Sequence, residues 1–347
     1  MQPLVSIIIP HWNGIDVITE CLKSLQKVTY PNFEVIIVHN NSTDKSIEYI
    51  NKLFPYVILY ENKHNEGYAG GCNRGAEIAN GKYLLFLNND TIQNSNWIEP
   101  LVSLLESNNN IAAVQPKILN YYSKDLFDYA GGAGGMMDFL VFPFAKGRIF
   151  NDLENDSNQY DTKSKIFWSS GTAFLVKKSA FDEAGKFDEL FFAHMEEIDL
   201  CWRLHLLGYE IWSEPKSVIF HKNAITLPMY SEKKYYLNHR NSLIMLLTNY
   251  SIPLVIYVAP IRWFLDIVAI IYAIIHGDLK HIKGIARAHA WIVFHPFKLY
   301  RKRKLVRILR KTKDREMLRK MYGGSIVFAH YILRKNSYSE LIASPRS

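Results

Sequence analysis

Two clusters of polar side chains have the residue types that metal-assisted chemistry and proton transfer require. The first, Asn88-Asn89-Asp90, directly follows a short apolar run at 82–87 that is typical of a buried strand in a parallel sheet. In open α/β sheets, ligands bind outside the carboxyl ends of the strands. Asp90 is therefore expected where a carboxylate could bind a divalent cation. Alternatively, the triplet only turns the chain and caps a following helix.

The second cluster, Glu196-Glu197-Ile198-Asp199, opens a segment in which apolar residues recur every four positions. This spacing predicts a helix over 196–207 that is capped by Gly208. A carboxylate at the start of this helix could act as a general base toward a hydroxyl group. Alternatively, the acidic residues only complement the positive end of the helix dipole. Asp199 and Arg203, at i and i+4, are spaced for a structural ion pair.

Alternating strands and helices must position these clusters. Helical segments lie between the apolar runs, and Ser42 is the predicted N-cap of a helix that runs to about Phe54. This alternation predicts βαβ units and a parallel sheet. The predicted strands are 4–9, 34–38, 57–60, 82–87, 111–114, 167–176, 210–212 and 217–220, the last of which leads into His221.

The segment 118–165 has no regular pattern and is polar over 151–165. We expect it to be a long irregular insertion, of the kind that often forms a lid over substrate. Its glycine-rich run, 131–135, does not follow the first strand of a βαβ unit and opens no evident helix, so it is a weak dinucleotide fingerprint. The first βα turn is residues 10–14 instead, which argues against an NAD enzyme.

The length of the chain and its cysteines limit the class of protein. A chain of 347 residues predicts one large domain with an appendage. Cys21, Cys72 and Cys201 have neither metal-site spacing nor an obvious pairing. The first strand has no basic leader and no cleavage site, so we expect a reducing, cytoplasmic compartment.

The positive charge is concentrated near the carboxyl terminus. The net charge is +8, yet residues 298–320 hold twelve Lys or Arg against Asp314 and Glu316. Apolar residues interrupt this run, and a basic amphipathic segment suits an anionic membrane surface. Two alternatives are a solvated charged helix and nucleic-acid binding, and no nucleic-acid-binding fold is recognisable to favour the second.

An apolar segment at 253–275 precedes the basic run. It contains two prolines, Arg262 and Asp266, and its longest charge-free stretch is 267–275. That stretch is much shorter than the ~20 residues that span a bilayer. We therefore expect an interfacial helix or hairpin rather than a transmembrane span.

Together, these motifs resemble the family 2 inverting glycosyltransferases with the GT-A fold. They are most similar to the bacterial branch with rhamnosyl- and galactofuranosyltransferases of cell-surface polysaccharide synthesis. The resemblance covers residues 4 to about 250. The matching segments are 5–13, 38–46, 65–75, 87–90, 171–176, 191–203, His221, Tyr235-Tyr236 and Arg240-Asn241.

The resemblance implies an α/β GT-A fold, a mostly parallel sheet flanked by helices, with a helical, membrane-associating C-terminal appendage. The catalytic domain is expected at 1–228. Within it, 1–116 would bind the donor and 117–228 would hold the acceptor and catalytic residues. The helical appendage is expected at 229–347.

The resemblance also implies a metal site and a base. Asn88 and Asp90 match the outer positions of the family's Asp-x-Asp motif, and Asp90, Asn88 and His221 would hold Mg²⁺ or Mn²⁺. Glu197 matches the general base, with Glu196 as the second candidate. The sequence departs from the family at two of these positions, since Asn88 is neutral and Glu197 stands where Asp is usual.

The donor would bind at the carboxyl ends of the first strands and at the glycine-containing loop beside them. His39 stands where relatives usually carry an Asp that contacts the base, so either a UDP- or a dTDP-linked sugar is expected. The implied nucleotide-sugar residues are Pro10, Trp12, Asn13, His39, Asn40, Asn65, Gly67, Gly71, Arg74, Asn88, Asn89 and Gly171.

The function that the resemblance implies is metal-dependent inverting transfer of a sugar, with rhamnose as one candidate. The acceptor would be a hydroxyl of a glycan or of a polyprenyl-diphosphate-linked glycan, and the enzyme would lie on the inner face of the plasma membrane. A homo-oligomer is compatible with this function, and nucleic acid is not an expected partner. The alternatives are a sugar-phosphate nucleotidyltransferase and a catalytically inactive nucleotide-sugar-binding scaffold. The first lacks its glycine-rich, basic signature after strand one.

Overall fold

The computed structural model describes residues 2–222 and 231–343, and its first part alternates strands with helices. The strands are β1 (Val5–His11), β2 (Phe33–His39), β3 (Ile58–Glu61) and β4 (Tyr83–Leu87). The helices between them are α1 (Ile15–Leu25), α2 (Ser46–Leu53) and α3 (Gly67–Ile78). β1 pairs in parallel with both β2 and β4, and β2 pairs in parallel with β3. The predicted βαβ units are confirmed.

The following part completes a mixed sheet. Its strands are β5 (Thr91–Gln93), β6 (Ile111–Asn120), β7 (Gly135–Met137), β8 (Pro143–Ala145), β9 (Arg148–Ile149), β10 (Asp152–Leu153), β11 (Ser164–Ile166), β12 (Ala173–Lys177) and β13 (Glu210–His221). The main sheet has the order β11-β13-β6-β12-β4-β1-β2-β3, and β5 pairs with β13. The predicted α/β fold class, with a parallel core flanked by helices, is confirmed.

The parallel core is covered by helices on both faces. Ile7 and Leu85 face one hydrophobic cluster with α1 and with helix α4 (Ile98–Ser107), while Ile8 and Phe86 face the other with α3. Successive side chains of a strand point to opposite faces, so a strand that is covered on both sides needs a continuous apolar run. This requirement explains the runs from which the strands were predicted.

Some local predictions were wrong. The insertion 118–165 is not irregular, since β7 to β10 form a separate antiparallel sheet. The segments 210–212 and 217–220 are one strand, β13, with a register shift between Glu214 and Val218. Ser42 does not cap α2, which begins at Ser46; the Ser42 hydroxyl instead accepts a hydrogen bond from the Asn13 amide at 3.0 Å.

The rest of the described chain is helical. The helices are α5 (Lys178–Glu183), α6 (Glu196–Leu206), α7 (Glu232–Asn249), α8 (Ile252–Ile275), α9 (Leu279–Phe294), α10 (Pro296–Leu309), α11 (Asp314–Lys320), α12 (Ile326–Tyr331) and α13 (Tyr338–Ile342). α7 packs against α9 and α10, and α10 also reaches α6. The expected domain boundary at 228/229 lies outside the described residues.

Helix α8 is continuous through Pro260, so the hairpin alternative for 253–275 was wrong. Within the described ranges, α8 is the one helix that is long and apolar enough to cross a membrane, with a mean hydropathy of 2.1. This criterion rests on length and composition alone. Arg262 and Asp266 on α8 are both buried, at 2% exposure each, so they face the protein.

A candidate active site at the carboxyl ends of the strands

A cavity of about 1030 Å³ lies at the carboxyl ends of β1 and β4. Its other walls come from the starts of α6 and α7 and from the end of α8. Most of the residues predicted from the sequence meet there, although they come from distant segments. Those that line the cavity are Pro10, Trp12, Asn40, Asn65, Gly67, Asn88, Asn89, Asp90, Gly171, Glu196, Glu197 and His221.

Two predicted donor-site residues on the first loops do not line the cavity. Asn13 braces the turn beyond β2, because its Oδ1 accepts the Thr43 amide at 2.8 Å. The imidazole of His39 faces the same turn, where its Nε2 accepts the Ser42 amide at 2.7 Å. Both side chains are therefore used to shape a loop rather than to form the cavity wall.

Two predicted donor-site residues on α3 also lie behind the wall. A Cβ at Gly71 would stand 2.8 Å from Asn40 Nδ2, so glycine permits α3 to pack against the ends of the strands. The guanidinium of Arg74 binds Glu66 at 3.0 Å and Glu189 at 3.4 Å. These residues hold α3 and the loop before it in place, and neither residue lines the cavity.

Asp90 and His221 form one end of a buried charged chain. Antiparallel pairing of β5 with β13 sets His221 opposite Thr91, and His221 Nε2 lies 3.1 Å from Asp90 Oδ1. The other imidazole nitrogen, Nδ1, lies 2.9 Å from Asp128 Oδ1. Sequence reasoning missed Asp128, which comes from the insertion and has no recognisable motif around it.

The two carboxylates control the charge of His221. Burial by itself lowers the pKa of His221, but the charges of Asp90 and Asp128 outweigh burial and raise the pKa to about 10. Burial likewise raises the pKa of Asp90, and the opposing charge of His221 brings it below its ordinary value. The imidazolium thus supplies the positive charge that these two acids require in the absence of another cation.

The residues around Asp90 fit a divalent metal ion whose coordination shell is completed by a bound substrate. Asp90 Oδ1 is buried and accepts no well-directed hydrogen bond. Among the described residues, no group of three or more His, Cys, Asp or Glu side chains forms a complete metal site. Mg²⁺ and Mn²⁺ suit such a place, because hard cations commonly bind one or two carboxylates together with substrate phosphates. Asn88 and Asn89 line the cavity next to Asp90.

Glu196 and Glu197 begin α6 and line the same cavity. Both carboxyl groups keep an Oε2 atom that is buried and accepts no hydrogen bond. Burial raises the pKa of Glu197 to about 7, although backbone amides including those of Gly171 and Ile198 oppose this effect. Burial, and then the charge of Glu197, raise the pKa of Glu196 well above its ordinary value. Glu197 is thus the carboxyl group of the pair that ionises near neutral pH.

The loop before α6 is held in a conformation that few side chains adopt. Phe192, His194 and Met195 have φ angles of 63°, 66° and 69°. Such residues cost about 1–3 kcal/mol each and persist only when their surroundings hold them. The Asn241 amide supplies this support by donating to the carbonyls of Ala193 at 3.0 Å and His194 at 2.6 Å.

Arg240 supports the same loop, since its Nη2 donates to the Phe191 carbonyl at 2.9 Å. The Arg240-Asn241 pair therefore fixes the entry to α6 from α7. The pair matches a family motif, but the sequence did not indicate this positioning role.

Asp199, the third acid of the cluster, is fully occupied by structural contacts. Its carboxylate accepts hydrogen bonds from Arg203 at 2.8 Å, from Lys302 at 2.9 Å and from Asn249 at 3.0 Å. Burial raises the pKa of Asp199, and the charges of Lys302 and Arg203 more than reverse this and lower it. The predicted Asp199–Arg203 ion pair is confirmed, and Lys302 ties α10 to the helix that carries Glu197.

Replacing Lys302 by Met is expected to lower the free energy of unfolding by about 3 kcal/mol, because it removes one partner of a buried ion pair. The measurement is chemical denaturation followed by circular dichroism. Lys298→Met is the control, since Lys298 is exposed on the same helix. Equal stability of the two variants would contradict a structural role for Lys302.

The comparisons with known proteins agree with this geometry. The family model described as Glycosyl transferase family 2 matches residues 6–185. The O-antigen biosynthesis protein RfbC of Myxococcus xanthus is 29% identical over 64% of this chain and 17% of its own length. Glycosyltransferase GlyG of Streptococcus pneumoniae is 30% identical over 53% of this chain and 60% of its own.

Poly-beta-1,6-N-acetyl-D-glucosamine synthase of Staphylococcus epidermidis is 26% identical over 62% of this chain and 48% of its own length. The chain thus spans less than two thirds of these three curated relatives.

Two solved structures share the fold. GalNAc-T7, crystallised with UDP, GalNAc and Mn²⁺, superposes with a TM-score of 0.56 at 18% identity, over 70% of this chain and 48% of that chain. The mannosyltransferase PcManGT of Pyrobaculum calidifontis, in complex with GDP-Man and Mn²⁺, gives 0.51 at 14% identity, over 89% and 86%. At these identities the likeness establishes the fold alone, which confirms the expected GT-A fold.

Proposed function

The chain belongs to glycosyl transferase family 2, and on that premise we propose that it transfers a sugar from a nucleotide-diphosphate sugar to a hydroxyl group, with inversion. The acceptor would be a glycan or lipid-linked glycan of cell-surface polysaccharide. One observation carries the proposal: Asp90, His221, Glu196 and Glu197 all line a single cavity. Rhamnose as the transferred sugar and dTDP or UDP as the carrier stay predictions.

The donor would lie along the ends of β1, β2 and β4. Asp90 and Asn88 would hold Mg²⁺ or Mn²⁺, with His221 as a further ligand once it has lost its proton. The charge of the metal would stabilise the diphosphate as the glycosidic bond breaks. The start of α3 faces the cavity at Gly67, and helix N-termini favour anions. Gly67 has φ 72°, and a Cβ there would lie 2.2 Å from the Phe192 carbonyl oxygen, so glycine is required.

The acceptor hydroxyl would lose its proton to Glu197. As that oxygen attacks the anomeric carbon, the bond from this carbon to the diphosphate oxygen breaks and its electron pair leaves with the nucleotide. A single displacement without a covalent enzyme intermediate inverts the anomeric configuration. Glu197 suits this role because a base works best when its pKa lies near the working pH, and its pKa is about 7.

A second candidate function, an inactive nucleotide-sugar-binding scaffold, is favoured by two observations. Asn88 is neutral where the family motif carries an Asp, and His221 is already held by two carboxylates. Release of nucleoside diphosphate from a panel of nucleotide sugars, measured with Mn²⁺, Mg²⁺ or EDTA, distinguishes an active transferase from an inactive scaffold. Metal-dependent release supports the enzyme, whereas donor binding without release under any donor and acceptor supports the scaffold.

We further propose that the enzyme associates with the inner face of the plasma membrane through α8 and α10. The Arg262 guanidinium donates to the Leu140 carbonyl at 3.1 Å, and Asp266 pairs with His289 at 3.0 Å. The outward face of α8 is therefore free of these charges, which fits a helix lying on the membrane. Its exposed residues are Ile252, Ile256, Tyr257, Trp263, Phe264, Ile267, Val268, Ile271, Tyr272, Ile274 and Ile275.

Replacing Phe264, Ile267 and Ile271 together by Ser is expected to weaken binding to vesicles of phosphatidylglycerol and phosphatidylcholine by at least about tenfold, because apolar burial anchors interfacial helices. Co-sedimentation measures this binding. The control replaces Tyr49, Leu53 and Tyr56, which are exposed aromatic or aliphatic side chains on or just beyond α2. Equal loss in both variants, or none in the first, would contradict this docking surface.

A further inference from the structure

One wall of the cavity carries cations that the proposed transfer step does not use. Arg148 on β9 and Lys233 and Lys234 at the start of α7 all line the cavity, and we name these three residues the basic cluster. Arg148 Cζ lies 4.3 Å from the centroid of the Tyr129 ring, and Lys234 Nζ lies 5.3 Å from the same centroid. Cations from two distant segments therefore share one aromatic ring.

The basic cluster is arranged as an anion would require. Arg148 Nε is buried and donates no hydrogen bond to any described residue. Burial, and then the charge of Arg148, lower the pKa of Lys234. Both lysines also occupy the first turn of α7, where the helix dipole favours negative charge and disfavours cations. A bound anion would relieve all three of these costs.

Two acidic side chains that could otherwise pair with the basic cluster are committed to other partners. Glu232, beside the two lysines, pairs with Arg287 at 2.5 Å. Asp278 lines the cavity, where its carboxylate accepts hydrogen bonds from the Tyr235 hydroxyl at 2.8 Å and the His281 amide at 3.0 Å.

His194 connects the basic cluster to the catalytic end of the cavity. Its Nε2 is buried and has no hydrogen-bond partner among the described residues, and its side chain lines the cavity two residues before Glu196. Burial, and then the charges of Lys234 and Lys233, lower the pKa of His194 to about 4. The imidazole is therefore neutral and can donate a hydrogen bond to an anion without adding charge.

The same cavity reaches the end of the apolar helix α8. Tyr272, Ala273 and His276 line it, while Ile271 and Ile275 beside them are 51% and 74% exposed. The basic cluster and the outward apolar face of α8 thus border one opening. This arrangement suits a ligand with an anionic head and a long apolar tail.

We propose that the basic cluster binds the phosphate or diphosphate of a lipid-linked acceptor, whose apolar chain leaves the cavity along α8. This inference rests on the proposed function, because the sugar hydroxyl of that acceptor would then extend toward Glu197. It assigns the acceptor an anionic lipid carrier and gives Arg148, Lys233 and Lys234 a binding role.

Equilibrium dialysis of the full chain in EDTA tests this site, with farnesyl diphosphate, farnesol and inorganic pyrophosphate as probes. EDTA keeps pyrophosphate from binding through a metal at Asp90. Wild type is compared with Arg148→Gln/Lys233→Gln/Lys234→Gln and with the single variant Lys233→Gln, which changes an exposed side chain and leaves the buried core intact. Lys23→Gln/Lys27→Gln/Lys52→Gln is the matched control, since these lysines are exposed and lie outside the cavity.

The expected result is that farnesyl diphosphate binds wild type at least about tenfold more tightly than either other probe. The cluster variant should lose at least about tenfold of that affinity and Lys233→Gln part of it, because charge-assisted contacts to phosphate are removed. Pyrophosphate binding as tight as farnesyl diphosphate would overturn the lipid carrier. Equal affinity in wild type and both cluster variants, or an equal loss in the control, would overturn the site. Nucleoside diphosphate release by wild type judges the transferase activity separately.

Discussion

Replacing Glu197 by Gln is expected to lower kcat for sugar transfer by about 10³-fold, because general bases contribute roughly 10²- to 10⁴-fold. The substitution keeps the shape of the side chain and removes the proton acceptor. Affinity for the donor should stay within about twofold, since Asp90 and the ends of the strands are untouched. Transfer to an acceptor and equilibrium binding of the nucleotide sugar are the two measurements.

The pH profile gives a second readout of the same group. Burial raises the pKa of Glu197 to about 7, so its carboxyl group is mostly protonated below that pH and cannot accept the hydroxyl proton. We therefore expect kcat/KM of wild type to rise with pH and to level off above about 7. Glu197→Asp should retain part of this acidic limb, and Glu197→Gln should lose it.

Glu196→Gln is the matched control, since it changes the adjacent carboxyl group of the same helix. Burial, and then the charge of Glu197, raise the pKa of Glu196 well above its ordinary value and so favour its neutral form, which Gln resembles. If Glu196→Gln loses more activity than Glu197→Gln, then Glu196 is the general base. If both variants keep full activity, neither carboxyl group at the start of α6 is the general base.

The sequence predicted the elements that carry the site because their patterns are long enough to be periodic. α6 was expected at 196–207 and is Glu196–Leu206, and β4 was expected at 82–87 and is Tyr83–Leu87. The alternative that Asn88-Asn89-Asp90 caps a helix was wrong, because β5 follows directly. The short strands of the insertion, two or three residues long, carry too little pattern to be recognised.

Other features depend on contacts that no local pattern encodes. Asp128 reaches His221 across a separation of 93 residues, and Lys302 reaches Asp199 across 103. Arg262 and Asp266 seemed to break the apolar segment, yet their i, i+4 spacing places them on one helix face that packs against the protein. That spacing was available in the sequence and would have indicated an uninterrupted outer face.

Replacing Asp90 by Asn is expected to abolish most metal-dependent turnover, lowering nucleoside diphosphate release by at least about a hundredfold at fixed Mn²⁺. Asn keeps the size of the side chain but loses the negative charge, and Asn88, two residues earlier, is also neutral and provides none in compensation. The Mn²⁺ concentration for half-maximal activity should rise by a similar factor. Titration of Mn²⁺ against activity, with donor binding measured in parallel, gives both values.

Two further variants separate loss of the metal from damage to His221. Asp128→Asn removes the other carboxylate that holds His221 but leaves Asp90 intact, so we expect a smaller loss, about tenfold. Asp125 is an exposed acid outside the cavity, so Asp125→Asn should leave activity unchanged. If Asp128→Asn lowers activity as much as Asp90→Asn does, activity depends on the intact Asp90–His221–Asp128 chain and not on metal binding by Asp90 alone. If wild type is fully active in EDTA, Asp90 acts without a metal.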